Sequence, residues 1–191
     1  MSTSEKLSTK VLMVFCEGPH DVAFCRLVFG KLLKTEKFEH RFAEFPAPLN
    51  DLFKTSLENH LLQDMSLDMA HKFFLPDSVL RLEQDNIEWL VLLFNCGGKD
   101  RIDNPKGFLE NYLELSEQAA VFPGDAEKVI SESRYLFIYD VDDQQPQQVI
   151  EQFARNFAEI AEDSWITKAP QMLEGFDNAA VSEDKAVYLW T

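Results

Sequence analysis

The sequence predicts an α/β fold: a central parallel sheet flanked by helices, with one helical insertion. Three observations lead there. Val11–Cys16, Trp89–Phe94 and Tyr135–Tyr139 are short, continuous apolar runs rich in β-formers, as expected of strands buried on both faces. The segments between them repeat apolar residues at helical spacing, and strands alternating with helices imply right-handed βαβ units. The 191 residues are 46% hydrophobic and include 16 Phe, which is ample for one real core and excludes a disordered acidic chain.

The first strand, Val11–Cys16, runs into Glu17-Gly18-Pro19-His20-Asp21. Asp21 is the expected N-cap of a helix to about Lys34, with Val22, Cys25, Phe29, Leu32 and Leu33 along its inner stripe. His40–Phe45 alternates and reads as a second strand, stopped by Pro46 and Pro48. From Leu49 to Asp85 the pattern is helical, with Leu52, Phe53, Leu57 and Leu61 on one stripe. That segment is longer than a simple crossover needs and reads as a helical insertion. Trp89–Phe94 is the third strand, followed by Asn95-Cys96-Gly97-Gly98-Lys99.

A helix from about Pro105 turns Phe108, Tyr112, Leu115 and Ala119 inward. Tyr135–Tyr139 is the fourth strand and ends in Asp140-Val141-Asp142-Asp143. Pro146 suits the first turn of a helix with Val149, Phe153, Phe157 and Ile160 on its apolar face. Ala186–Trp190 reads as a short last strand within a C-terminal extension of about residues 164–191, and the chain reads as truncated there. No repeat, low-complexity stretch or linker divides the chain, so one domain over residues 1–191 is expected.

Eighteen Lys and Arg against 33 Asp and Glu give a formal charge of −15, and residues 140–191 alone hold eleven acidic against three basic residues. A passive nucleic-acid binder needs clustered cations, so the charge argues against that class. Three cysteines, an odd number in apolar surroundings, argue against a disulfide framework and for a reducing cytoplasm. The first ten residues lack the apolar core of a signal peptide, and no apolar run approaches the roughly 18 residues that span a bilayer. A cytoplasmic chain with no membrane partner is expected.

In open α/β sheets the ligand crevice lies at the carboxyl ends of the strands. Three apolar strands here end in Glu17-Gly18, Gly97-Gly98-Lys99 and Asp140-Val141-Asp142. If those strands are neighbours, Glu17, Asp140 and Asp142 converge, and alternation lets Asp140 and Asp142 share one side of a short extension. Clustered carboxylates repel, and hard oxygen donors without adjacent Cys or His favour Mg²⁺ or Mn²⁺. Such a cation neutralises a phosphoryl oxygen and activates water. Gly97 and Gly98 offer backbone N–H groups, and Lys99 a charge, to a phosphate; Lys99 is with Glu17 a catalytic candidate.

This order of motifs resembles the Toprim domain of topoisomerases, bacterial primases, recombination-repair proteins and OLD-family nucleases. The carrying residues are a strand ending Glu17-Gly18 with Asp21 following, Gly97-Gly98-Lys99 as in small stand-alone bacterial members, and a later strand ending Asp140-Val141-Asp142, over roughly Val11 to Asp163. The resemblance implies a four-stranded parallel sheet between helices, Glu17 as general acid/base or metal ligand, and Asp140 and Asp142 holding Mg²⁺. It further implies metal-dependent phosphoryl transfer, most simply nucleic-acid hydrolysis, in a bacterial defence or toxin effector. The chain has no recognisable topoisomerase tyrosine domain, primase zinc module or Walker A loop, so an ATPase would come from a separate chain.

Plainer readings stand beside these. Asp21 and Asp143 serve as helix caps, Cys16 and Cys96 as small core residues, and Lys31, Lys34 and Lys37 as a solvated helix end. His20, His40, His60 and His71 lack ligand spacing, with His20 near Glu17 the one worth testing. With so few cations near the site, Lys99, Arg101 and Lys106, either a protein partner or homo-oligomer supplies basic surface or the substrate is small. Two other functions compete: a non-catalytic interaction module, and a haloacid-dehalogenase-type phosphatase, whose expected Thr is Gln144 here.

Overall fold

The computed structural model describes residues 8–39, 41–61, 74–98, 101–121, 128–158, 160, 171–172, 174 and 178–190. They form a mixed α/β structure around one eight-stranded sheet. In chain order the elements are β1 (Ser8–Cys16), α1 (Pro19–Val28), β2 (Glu36–Lys37), α2 (Leu49–Leu61), β3 (Ser78–Gln84), β4 (Ile87–Asn95), α3 (Asp103–Val121), β5 (Ile130–Asp140), α4 (Pro146–Asn156), β6 (Gln171–Met172), β7 (Ala179–Val181) and β8 (Lys185–Trp190). The sheet order is β2-β3-β4-β1-β5-β8-β7-β6. Its centre, β4-β1-β5-β8, is parallel, and antiparallel strands extend both edges.

The continuous apolar runs are strands with both faces covered. One face packs Val11, Met13, Phe15, Leu92, Phe94, Phe137 and Val187 against α2, α3 and α4. The other carries Val14, Cys16, Val91, Leu93 and Ile138 against Val22 and Cys25 of α1. The helix stripes behave as expected for Phe108, Tyr112, Val149, Phe153 and Phe157, all buried. Among the described residues no helix is long and apolar enough to cross a membrane.

Four sequence expectations are corrected. His40–Phe45 is not a strand: Phe42–Glu44 is a 3₁₀ turn, held by Glu44 N–H on the Arg41 carbonyl (2.9 Å) and Arg41 N–H on Glu44 Oε2 (3.1 Å). Its aromatic spacing serves a cluster, with Phe45 5.1 Å from Phe53, and not a pleat. His40 itself lies outside the described residues, as does His71.

The helical reading of Leu49–Asp85 holds for α2 and fails at Ser78–Gln84, which is β3, antiparallel to β4. The Asp85-Asn86 connection has φ of +52° and +64°, the two-residue hairpin geometry whose twist matches the strands. The insertion is therefore a helix plus a hairpin arm, with residues 62–73 outside the described set. The side chains of Leu57, His60 and Leu61 also lie outside it.

The first helix is α-helical only to Val28, and Phe29–Leu33 is a π turn ended by Lys34 at φ +56°. The wider turn adds a residue and rotates the stripe off the sheet. Val22 and Cys25 are buried, while Leu32 is 76% exposed. Asp21 is not the residue preceding the helix; it sits in the first turn and accepts the Gly18 N–H at 2.9 Å. The expected last strand, Ala186–Trp190, is present as β8, paired with β5.

Candidate functional site

β1 lies between β4 and β5, so the three chemically loaded strand ends are neighbours. The register sets Phe15 beside Phe94 and Phe137, and their rings stack at centroid distances of 5.1 and 4.9 Å. One pleat further on, the same face presents Cys96, Glu17 and Tyr139. An aromatic layer thus forms the floor beneath Glu17, which is half-buried.

Hydrogen bonds tie both neighbouring strand ends to Glu17. The backbone N–H of Asp140 donates to Glu17 Oε2 at 3.0 Å. The Gly98 N–H donates to the Glu17 carbonyl at 2.9 Å, one step after the Cys96 N–H donates to the Cys16 carbonyl, also at 2.9 Å. Pleat alternation along β5 sets Tyr139 on the Glu17 side, so Asp140 meets Glu17 through its backbone. Asp140 is itself exposed.

The Gly97-Gly98 turn has φ of +79° and +112°, both in the region that favours glycine. A Cβ at Gly97 would lie 3.3 Å from Arg101 Cδ, so the Arg101 side chain covers the turn. The Arg101 N–H donates to the Gly98 carbonyl at 3.2 Å. Gly97 N–H donates to Asn95 Oδ1 at 3.0 Å, and Gly98 N–H is engaged by Glu17. The expectation that these two N–H groups cradle a phosphate is therefore corrected: both donors are spent inside the turn. Lys99 lies outside the described residues. Arg101, noted in the sequence only as a nearby cation, is the residue whose placement gives this turn a positive charge.

Asp142 does not continue the strand. β5 ends at Asp140, Asp142 takes φ +50°, and Gln144 N–H closes a turn on the Val141 carbonyl at 3.0 Å. The alternation that would set Asp142 beside Asp140 is thus interrupted, and among the described residues no three His, Cys, Asp or Glu side chains form a group able to hold a metal. What the structure brings together is Glu17 and the end of β5 at Asp140. Glu17 is a hard oxygen donor at the converged strand ends, the donor type that Mg²⁺ takes; that ion binds through one or two carboxylates and completes its shell with water and substrate phosphate.

The electrostatics agree with this geometry. Burial, and then the negative charge of Glu17, push the Cys96 thiol from its ordinary 9.0 up to about 12. Burial raises Tyr139 as well, with Cys96 and Glu17 adding to it. Nothing in the sequence singles out Tyr139, which looks like one more apolar strand residue. Cys16, Cys25 and Cys96 are all buried free thiols, as expected of core cysteines. His20 is exposed.

No protein-family model and no curated protein matches the chain. Among solved structures it is similar to the crystal structure of a hypothetical protein from Pyrococcus horikoshii OT3, at 17% identity and a TM-score of 0.39. The similarity covers 94% of this chain and 54% of that one, so this chain spans about half the length of that protein.

Proposed function

We propose that this chain is a Toprim-like, Mg²⁺-dependent phosphoryl-transfer enzyme that hydrolyses phosphodiester bonds of nucleic acid in the cytoplasm, as one half of a bacterial defence or toxin pair. The observation that carries this reading is the bond from Asp140 N–H to Glu17 Oε2 at 3.0 Å. It joins the ends of β1 and β5 at Glu17 and the Asp140 backbone, where α/β sheets bind ligands, and these are two of the residues that carry the Toprim resemblance. Bound Mg²⁺ supplies charge neutralisation at a phosphoryl oxygen and a more acidic water.

The chain's own groups do the rest. Glu17 is held over a rigid aromatic floor by Asp140 N–H, which leaves a carboxylate fixed in place to take a proton from an attacking water. The resemblance makes Asp140, exposed at the end of β5, the second metal ligand. Arg101 over the glycine turn, with Lys99, receives the phosphate that a body of charge −15 otherwise repels. That repulsion is why a protein partner with basic surface belongs to the reading.

Calorimetric titration of Mn²⁺ or Mg²⁺ into wild type and a Glu17→Gln/Asp140→Asn variant tests it, followed by cleavage of DNA and RNA. Saturable binding lost in the variant, together with metal-dependent cleavage, is expected. Cleavage that survives Glu17→Ala would sink it.

A second reading, the interaction module, is favoured by one observation. Phe24, Leu27, Leu32 and Leu33 are between 46% and 76% exposed along α1 and its π turn, a density of apolar surface usual at binding faces. No metal binding at millimolar concentration, with a stable complex or oligomer through α1, would put this reading first.

A further inference from the structure

We infer that the cleft bounded by the start of α3, the end of β5 and α4 is a nucleobase-binding pocket. Its volume is about 370 Å³, within the range of about 300–1,000 Å³ that holds small ligands. The inference rests on the phosphoryl-transfer reading for its substrate class, and on the chemistry of the lining for the base.

The lining is neutral, aromatic and amide-rich. Tyr139 and Phe153 form one wall, their ring centroids 6.4 Å apart at 56°. Ile102 adds an apolar side, and Gln144, Gln152 and Asn156 supply three carboxamides. Among the described lining residues none is charged, in a chain of which 27% is charged. A charged ligand group would find no counter-charge among those described lining residues, whereas a flat, neutral, polar-edged ring finds apolar surface and carboxamides that each donate and accept. Base edges are read by such alternating donors and acceptors, and bases pack on aromatic side chains.

The amides are also pre-positioned. Gln152 Nε2 donates to Asn156 Oδ1 at 2.6 Å, one helical turn apart on α4, and Arg155 Nη2 donates to Gln152 Oε1 at 3.0 Å. Polar groups held this way lose little freedom on binding.

Position links the cleft to the acid site. Tyr139 directly precedes Asp140, lies on the Glu17 face of the sheet and feels its charge. Ile102 follows Arg101, which covers the glycine turn. A base in the cleft therefore sets its own phosphate toward Arg101 and Glu17. The arrangement also answers the charge problem. A −15 protein gains little from counterion release, so without its partner this chain holds nucleic acid chiefly through the base, and that binding depends weakly on salt.

The test titrates the full chain, without metal, with the four nucleoside monophosphates, with a short single-stranded oligonucleotide, and with ribose 5-phosphate as the base-free control. At least one mononucleotide, or the oligonucleotide, should bind at least tenfold tighter than ribose 5-phosphate. Gln152→Leu/Asn156→Leu should weaken that binding about tenfold or more, the size of one lost base-edge contact, and Gln144→Ala serves as the second variant should the first be misfolded. Mononucleotide binding identifies a free nucleotide as the source of the base, and binding of the oligonucleotide alone identifies a strand.

The inference is overturned if ribose 5-phosphate binds as well as every base-bearing ligand, or if the folded variants bind like wild type. Repeating the titration on Glu17→Gln separates the two readings. Base binding that persists there while metal binding and cleavage are absent from wild type leaves the pocket standing and removes the nuclease. Metal-dependent cleavage without base binding does the reverse.

Discussion

Asp140 reaches Glu17 through its backbone, the N–H donating to Oε2 at 3.0 Å, while the Glu17 carbonyl accepts Gly98 N–H at 2.9 Å. One residue thus fastens the ends of β4, β1 and β5. Because the bond to Glu17 uses the main chain of Asp140, the Asp140 carboxylate can be changed without loosening the acid beside it.

That separation makes a prediction. Asp140→Asn should leave the thermal midpoint within about a degree of wild type, since exposed substitutions rarely move stability by more than ~0.5 kcal/mol. Glu17→Ala removes the acceptor for Asp140 N–H and should cost about 1 kcal/mol, while Glu17→Gln keeps an acceptor oxygen and should fall between. Denaturant unfolding of the three variants checks the order, and an Asp140→Asn loss as large as that of Glu17→Ala would contradict it.

A second prediction concerns the turn. Gly97 has φ +79°, and a Cβ there would press on Arg101 Cδ at 3.3 Å. Gly97→Ala should therefore destabilise by about 1–2 kcal/mol from the backbone alone. Gly98, at φ +112° with open space around it, is limited by backbone only. Gly97→Ala in an Arg101→Ala background tests the clash: removing Arg101 should recover part of the Gly97→Ala cost and none of the Gly98→Ala cost.

The parallel centre of the sheet was legible because strands buried on both faces must be apolar throughout, and VLMVFC, WLVLLF and YLFIY leave no alternative face for water. β3 was harder. Arg81, Glu83 and Gln84 interrupt its apolar pattern because β3 lies near the sheet edge, and SVLRLEQ then fits a helix as well as a strand. The signal that could have found it was Asp85-Asn86, two residues tolerant of positive φ, set directly before an apolar run. At the site, Glu17 and Asp140 were legible as polar residues at apolar strand ends. The fate of the Gly97 and Gly98 N–H groups was not, because it depends on backbone angles that close the turn onto Asn95 and Glu17. The amides of α4 were hidden for a different reason: Gln152 and Asn156 look like an ordinary solvated helix face until β5 and α3 are set beside it.

The aromatic layer carries a third prediction. Phe15 lies under Glu17 with Phe94, Phe137 and Phe108 at 5.1, 4.9 and 6.4 Å. Phe15→Ala should cost about 3–5 kcal/mol through the cavity it leaves, lowering the thermal midpoint by about 10 °C. Phe15→Leu should cost much less. A loss under ~1 kcal/mol for Phe15→Ala would mean the layer collapses freely and does not hold Glu17 in place.

Alkaline pH gives the fourth. Burial, and then the charge of Glu17, push the native Cys96 thiol from its ordinary 9.0 up to about 12. Between those values the unfolded chain has lost a proton that the folded chain keeps. The unfolded state therefore binds fewer protons, and stability falls as pH rises from 9 toward 12. Tyr139 is raised for the same reasons and adds a fall of the same sign above its ordinary 10.0. Three pH units on one group correspond to about 4 kcal/mol when fully developed, so urea midpoints should be flat from pH 7 to 8.5 and drop steeply by pH 10.5. Cys96→Ala should make that drop shallower by removing one of the titrating groups. Glu17→Gln should do so partially, because it removes the charge but not the burial. If Cys96→Ala follows the wild-type curve, the thiol is not the buried titrating group, and its place in the row Cys96–Glu17–Tyr139 at the strand ends is wrongly drawn.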